Sequence, residues 1–175
     1  MNRSLALIHV RTLTASAQDG LLIAGNLRLP CKLGRAGRCS LKREGDGATP
    51  RGLWPLRRVL ARRNSQGRLR TGLPFRFIAP DDGWCDDPAD RNYNRPVKLP
   101  YPASHEELWR KDHLYDVVVI LGHNDRPRVR GAGSAVFFHL ADPQGGPTAG
   151  CIAVSAADMR KVLALCGPKT KIRVW

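Results

Sequence analysis

Gly133-Ser-Ala-Val-Phe-Phe-His139-Leu-Ala-Asp-Pro-Gln-Gly-Gly-Pro-Thr-Ala-Gly150-Cys151-Ile152 is the stretch that decides the reading of this chain. It starts with an apolar run over 134–139 that predicts a buried strand ending on His139. A loop of eleven residues rich in Gly and Pro follows, and then Cys151 directly after Gly150. Such a loop can fold back and set a thiol beside an imidazole. A free thiol has a pKa of about 8.5 and is only slightly ionised at neutral pH. A neighbouring imidazole can take its proton, hold the thiolate as an ion pair, and later protonate a leaving amine. Gly150 removes a side chain next to the nucleophile, so the backbone can bend sharply and turn N–H groups toward a developing oxyanion. Spacing alone leaves a buried Cys and an unrelated core His as the competing explanation.

Working outward, the chain reads as strand after strand. Residues 4–13 alternate as a first strand. Leu21–Ala24 and Leu27–Leu33 flank Gly25-Asn26, a hairpin turn pair. Residues 44–52 form a turn-rich loop, 53–60 a strand, 61–72 a basic loop, and 75–79 a short strand. Residues 81–102, rich in Asp, Asn and Pro, read as one long irregular loop. Ser104-His-Glu-Glu107 has the form of a capping box and predicts a helix to about Asp112. Tyr115–Gly122 predicts a buried strand, and Ser155-Ala-Ala-Asp158 opens a second helix that stops before Gly167-Pro168. A last strand covers 171–175. The expected fold class is mainly β with two short helices (α+β), a β-sandwich or partly open barrel forming one domain over 1–175.

Composition narrows the function classes. The 175 residues carry 22 Arg and 7 Lys against 15 carboxylates, a formal charge of +14. The excess is concentrated in 28–76, which holds 14 basic and 2 acidic side chains, whereas 81–125 holds 5 and 10. Anionic partners are expected. Nucleic acid is disfavoured, because the basic stretch has no interleaved aromatics and no nucleic-acid motif. Five cysteines without a C-x-x-C argue against both a disulfide framework and a structural zinc site, so neither metal nor cofactor is expected. The chain has no apolar run of 18 residues, so no membrane span is expected. The N-terminal apolar stretch is interrupted by His9 and Arg11 and lacks a cleavage site. The cytoplasm is therefore the expected compartment, with the periplasm as the alternative.

Three blocks carry a family resemblance. Phe138-His139 with Thr148-Ala149-Gly150-Cys151-Ile152 resembles the catalytic motif of the L,D-transpeptidase (YkuD-type) family. Lys42-Arg-Glu-Gly-Asp-Gly-Ala-Thr-Pro-Arg-Gly52 resembles that family's T-P-x-G segment, and Gly122-His123-Asn124-Asp125 resembles a block of its small single-domain members. The gap from His139 to Cys151 is shorter than the common pattern, and Ala149 and Ala153 stand where His and Arg are frequent.

The resemblance implies a cysteine acyl-enzyme acting on peptidoglycan stem peptides and muropeptides. Cys151 would be the nucleophile, and His139 the general base and then acid. The Gly150 and Cys151 N–H groups would form the oxyanion hole, with Thr148 at the motif's hydroxyl position. The bond cut would be the L,D bond between meso-diaminopimelate and D-Ala at position four. With no signal segment visible, water is the expected acceptor (an L,D-carboxypeptidase in recycling), and cross-linking to an amine is the alternative. His123 either lines the same cleft or is a satisfied strand-end His. Arg95 and Lys98 either hold a substrate carboxylate or stabilise their loop.

Overall fold

The computed structural model describes residues 4–63 and 69–175. Residues 64–68 of the basic loop expected over 61–72 lie outside the described residues. The elements run β1 (Leu5–Arg11), β2 (Asp19–Ala24), β3 (Leu27–Lys32), β4 (Arg38–Cys39), β5 (Thr49–Pro50), β6 (Gly52–Ala61) and β7 (Phe75–Phe77). They continue with β8 (Asp82–Cys85), β9 (Arg95–Lys98), β10 (His105–Glu107), β11 (Val117–Leu121), β12 (Phe137–Leu140), β13 (Ile152–Val154), α1 (Ala156–Leu165) and β14 (Cys166–Val174).

Gly25-Asn26 makes the expected turn: Ala24 pairs with Leu27, and Gly25 has φ +60°. From this hairpin the sheet grows in the order β11-β12-β13-β3-β2-β1-β14-β6, and a β11–β6 pairing closes it into an eight-strand barrel. The long strand β6 makes closure possible. Its first half pairs with β14 and its second half with β11. The barrel is therefore closed, not partly open, and closure leaves those eight strands without a free edge over their paired length.

Alternation sorts the side chains into two clusters. Val117, Val119, Leu121, Phe138, Leu140, Ile152 and Val154 point into the barrel. Val118, Ile120, Phe137 and Cys151 point outward into a second cluster with Leu60, Ile78, Leu108 and Tyr115. This explains the unbroken apolar run over 115–122: β11 is covered on both faces, so it has no polar side to alternate with.

The cover over the outer cluster is a small sheet of order β10-β8-β9. Trp84 of β8 meets Phe137 edge-on at 5.4 Å. Two expectations are corrected here. Residues 81–102 are not one loop but contain the β8–β9 hairpin. Ser104–Asp112 is not a helix, since His105, Glu106 and Glu107 pair with Cys85, Trp84 and Gly83. A helix of about nine residues is marginal alone, and here strand pairing together with burial of Leu108 prevails. One helix remains among the described residues. α1 is capped as expected, with Ser155 Oγ accepting the Asp158 N–H at 3.1 Å, and it turns Met159, Val162 and Leu163 into the barrel core. It runs straight into β14 at Cys166, ahead of Gly167-Pro168. No helix among the described residues is long and apolar enough to cross a membrane.

Candidate active site

β12 and β13 are parallel neighbours, with Phe138 opposite Ile152 and His139 opposite Ala153. Continuing that register sets Cys151 level with Phe137. Cys151 and His139 therefore share the outer face as diagonal neighbours, with backbones roughly 7–8 Å apart. Both line one cleft of about 360 Å³.

The thiol is held at two points. Cys151 Sγ accepts the Phe137 N–H at 3.3 Å and donates to the Ala135 carbonyl at 3.3 Å. Burial pushes its pKa up to about 12, only partly opposed by the Phe137 N–H. Nδ1 of His139 lies 2.8 Å from the Leu140 carbonyl. A carbonyl only accepts, so Nδ1 carries the ring proton and Nε2 is left as the basic nitrogen. Burial pushes this imidazole down to about 4. Both shifts have burial as their first cause, and both favour thiol over thiolate and neutral imidazole over imidazolium. Tyr115 packs edge-on against His139 at 5.1 Å and donates to Glu106 at 3.3 Å.

The turn before Cys151 is built by hydroxyls. Thr148 Oγ1 donates to the Cys151 carbonyl at 2.7 Å and accepts the Gly150 N–H at 3.1 Å. Thr49 Oγ1 donates to the same carbonyl at 3.2 Å and accepts the Gly34 N–H at 2.8 Å. Gly150 has φ +136°, a region that side chains disfavour. Its N–H is committed to Thr148, while the Cys151 N–H has no acceptor among the described residues.

The cleft lining carries both charges: Lys32, Arg35, Lys42 and Arg110 together with Glu44, Asp86, Glu106 and Asp142. Glu106 is raised by burial, a shift eased by Arg110 and reinforced by Asp86. Sequence reasoning assigned no role to Lys42 or Glu44, although both lie in the quoted block around Thr49. Glu106, Arg110 and Tyr115 gave no local signal; they reach the cleft only through the small sheet and the strand it covers.

The other expected residues lie elsewhere. His123 is buried against the Trp54 edge at 4.8 Å, with Nε2 3.0 Å from the Ala132 carbonyl, and it does not line the cleft. Arg95 and Lys98 lie on β9, also outside the cleft lining. Lys98 pairs with Asp81 at 2.7 Å and Asp82 at 3.0 Å, which fits the loop-stabilising alternative, and Arg95 is exposed. Their neighbour Asn94 binds the segments together. Its amide nitrogen donates to the carbonyls of His123 and Asn124 at 3.1 and 2.8 Å, and its amide oxygen accepts from the Trp84 indole at 3.0 Å.

Comparison with known proteins agrees with this arrangement. The family model of the L,D-transpeptidase catalytic domain (YkuD) matches residues 11–174. No curated protein and no solved structure gives a significant match. The match spans the barrel from the end of β1 to the end of β14 and takes in the Thr49, His139 and Cys151 blocks alike, so the chain belongs to the YkuD family of cysteine-dependent L,D-transpeptidase catalytic domains, which act on peptidoglycan peptides.

Proposed function

We propose that the protein cleaves the L,D bond between meso-diaminopimelate and D-Ala in a stem tetrapeptide through a Cys151 thioester, with water as the acyl acceptor. The observation that carries this reading is the pairing of Cys151 and His139 on one face of adjacent strands, in one cleft. Cys151 Sγ attacks the carbonyl carbon as His139 Nε2 takes the thiol proton. The π pair moves onto oxygen, facing the free Cys151 N–H. Collapse of this intermediate breaks the C–N bond, and the imidazolium gives its proton to the leaving D-Ala amine. Water, deprotonated by His139, then releases the tripeptide.

A cleft of about 360 Å³ is at the small end of the usual range of roughly 300–1,000 Å³. It suits the reacting end of one stem plus water better than two stems. Cross-linking to an amine is the second reading, favoured by Glu44, Asp86 and Glu106, which would attract an ammonium group. The test is to incubate the protein with a disaccharide tetrapeptide, with and without an amine acceptor, and to identify products by mass. Tripeptide and free D-Ala in both samples are expected, and Cys151→Ala abolishes both. Full release by that variant would overturn the mechanism, and an amine adduct as main product would make the second reading the correct one.

A further inference from the structure

Lys42 is the feature of the cleft that the mechanism above leaves unused. Its side chain is only 7% exposed. The ammonium pairs with Asp46 and donates to the Arg43 carbonyl at 3.0 Å. An ammonium has three N–H groups, so the third has no acceptor among the described residues. Asp46 is kept ionised as the partner. Burial pushes its pKa up, but hydrogen bonds from the Arg43 N–H, Lys42 and the Ala48 N–H outweigh that and hold it low.

The position of the ammonium is set by two glycines. A methyl group on Gly133 would meet the Lys42 stem at 2.6 Å, so Gly133 makes room for the side chain. A methyl group on Gly150 would lie 3.6 Å from Lys42 Nζ. The cation therefore sits beside the turn that carries the nucleophile, in the same cleft lining as Cys151. Its charge also acts on the thiol, opposing the effect of burial.

The Gly150 N–H is already bonded to Thr148. Of the two N–H groups of the Gly150–Cys151 turn, a tetrahedral intermediate on Cys151 thus finds one without an acceptor among the described residues, whereas oxyanion holes act through several converging donors. We propose that the Lys42 ammonium group is the second donor to the oxyanion, in the place that the Gly150 N–H cannot fill. This rests on the reading of Cys151 as nucleophile.

Two probes separate a role at the oxyanion from a role at the thiol. Acylation by p-nitrophenyl acetate passes through a tetrahedral oxyanion before p-nitrophenolate leaves. Alkylation by iodoacetamide displaces iodide at carbon and forms no oxyanion. Both need the same thiolate, so their ratio at one pH cancels its population. Rates are measured on the full chain, with adducts assigned to Cys151 by peptide mass. Lys42→Met is expected to lower the acylation-to-alkylation ratio by about 100-fold, the loss typical of one oxyanion donor. A ratio within threefold of the parent overturns the proposal. Asp46→Asn keeps the ammonium and removes its pair, so it reads the same quantity should Lys42→Met fold poorly. Its ratio is expected within threefold of the parent, and a tenfold fall would assign the effect to the ion pair and overturn the proposal. Survival of D-Ala release in Cys151→Ala would instead remove the nucleophile reading, an outcome distinct from the failure of Lys42 alone.

Discussion

The Thr49 hydroxyl donates to the Cys151 carbonyl at 3.2 Å, across 102 positions of sequence. This bond ties the T-P block to the G-C block and explains why the two motifs go together. Thr49 is fully buried and also accepts the Gly34 N–H. Thr49→Val keeps the shape and leaves that N–H without a partner. An orphaned buried donor costs about 1–3 kcal/mol, which for a domain of this size lowers the melting temperature by roughly 3–10 °C. Thermal unfolding of the variant measures it, and an unchanged midpoint would show that the hydroxyl has no structural part.

Gly150→Ala makes a sharper demand on the same turn. The backbone is at φ +136° and the new methyl would lie 3.0 Å from the Ala48 carbonyl oxygen. Holding a side chain there costs about 1–3 kcal/mol. The turn is expected to shift, so D-Ala release falls more than tenfold while Gly131→Ala, at φ +75° with open space around it, leaves release unchanged. Equal activity of the two variants would count against a strained catalytic turn.

The placement of Cys151 and His139 in one cleft was legible because an unbroken apolar run ending on His139 and a Gly-Cys turn are local signals. Apolar runs of the same kind also revealed β11 and β12, which are buried along their whole length. The small sheet was not legible, for a physical reason. β8 and β9 pair over four residues only, and β9 is an edge strand that tolerates Pro96. Their Asp, Asn and Pro content therefore reads as loop. The capping-box pattern at Ser104 is a short-range preference overruled by pairing with β8. Charge along the chain likewise could not say that Lys32, Arg35 and Lys42 face the cleft while Arg95 and Lys98 do not. That depends on barrel closure, which no local pattern encodes.

The buried imidazole makes stability depend on pH. His139 is held down at about 4 in the fold, against about 6.5 when unfolded. Between those values the unfolded chain binds a proton that the native state refuses. The contribution is complete above about pH 6.5 and is lost as pH falls toward 4, by about 2 kcal/mol between pH 7 and 5. Urea unfolding of the parent and His139→Gln at the two pH values isolates it, since other groups are shared. The parent should lose about 2 kcal/mol more than the variant over that interval. Equal losses would mean that the ring titrates freely.

Cys151 gives the opposite sign on the alkaline side and, at neutral pH, a kinetic signature. A thiol raised to about 12 is less ionised than free cysteine at every pH below that value. Alkylation of Cys151 should therefore run slower than that of a free thiol and climb steadily from pH 6 to 10 without a plateau. A plateau beginning near neutral pH would reveal a preformed ion pair with His139.

The cleft lining is balanced in formal charge, with Lys32, Arg35, Lys42 and Arg110 against Glu44, Asp86, Glu106 and Asp142, but one of its cations is free to meet a ligand. Arg35 lines the cleft, is exposed, and has no ion pair among the described residues. Stem peptides carry several carboxylates, so a rim cation speeds their capture more than their conversion. Arg35→Ala is expected to raise KM several-fold at low salt with kcat held. The gap should close as ionic strength rises and the screening length shrinks below about 8 Å. Lys169, on β14 and outside the cleft lining, supplies the control, because its removal changes net charge by the same unit. If Lys169→Ala raises KM as much as Arg35→Ala does, capture depends on overall charge and not on Arg35 at the cleft.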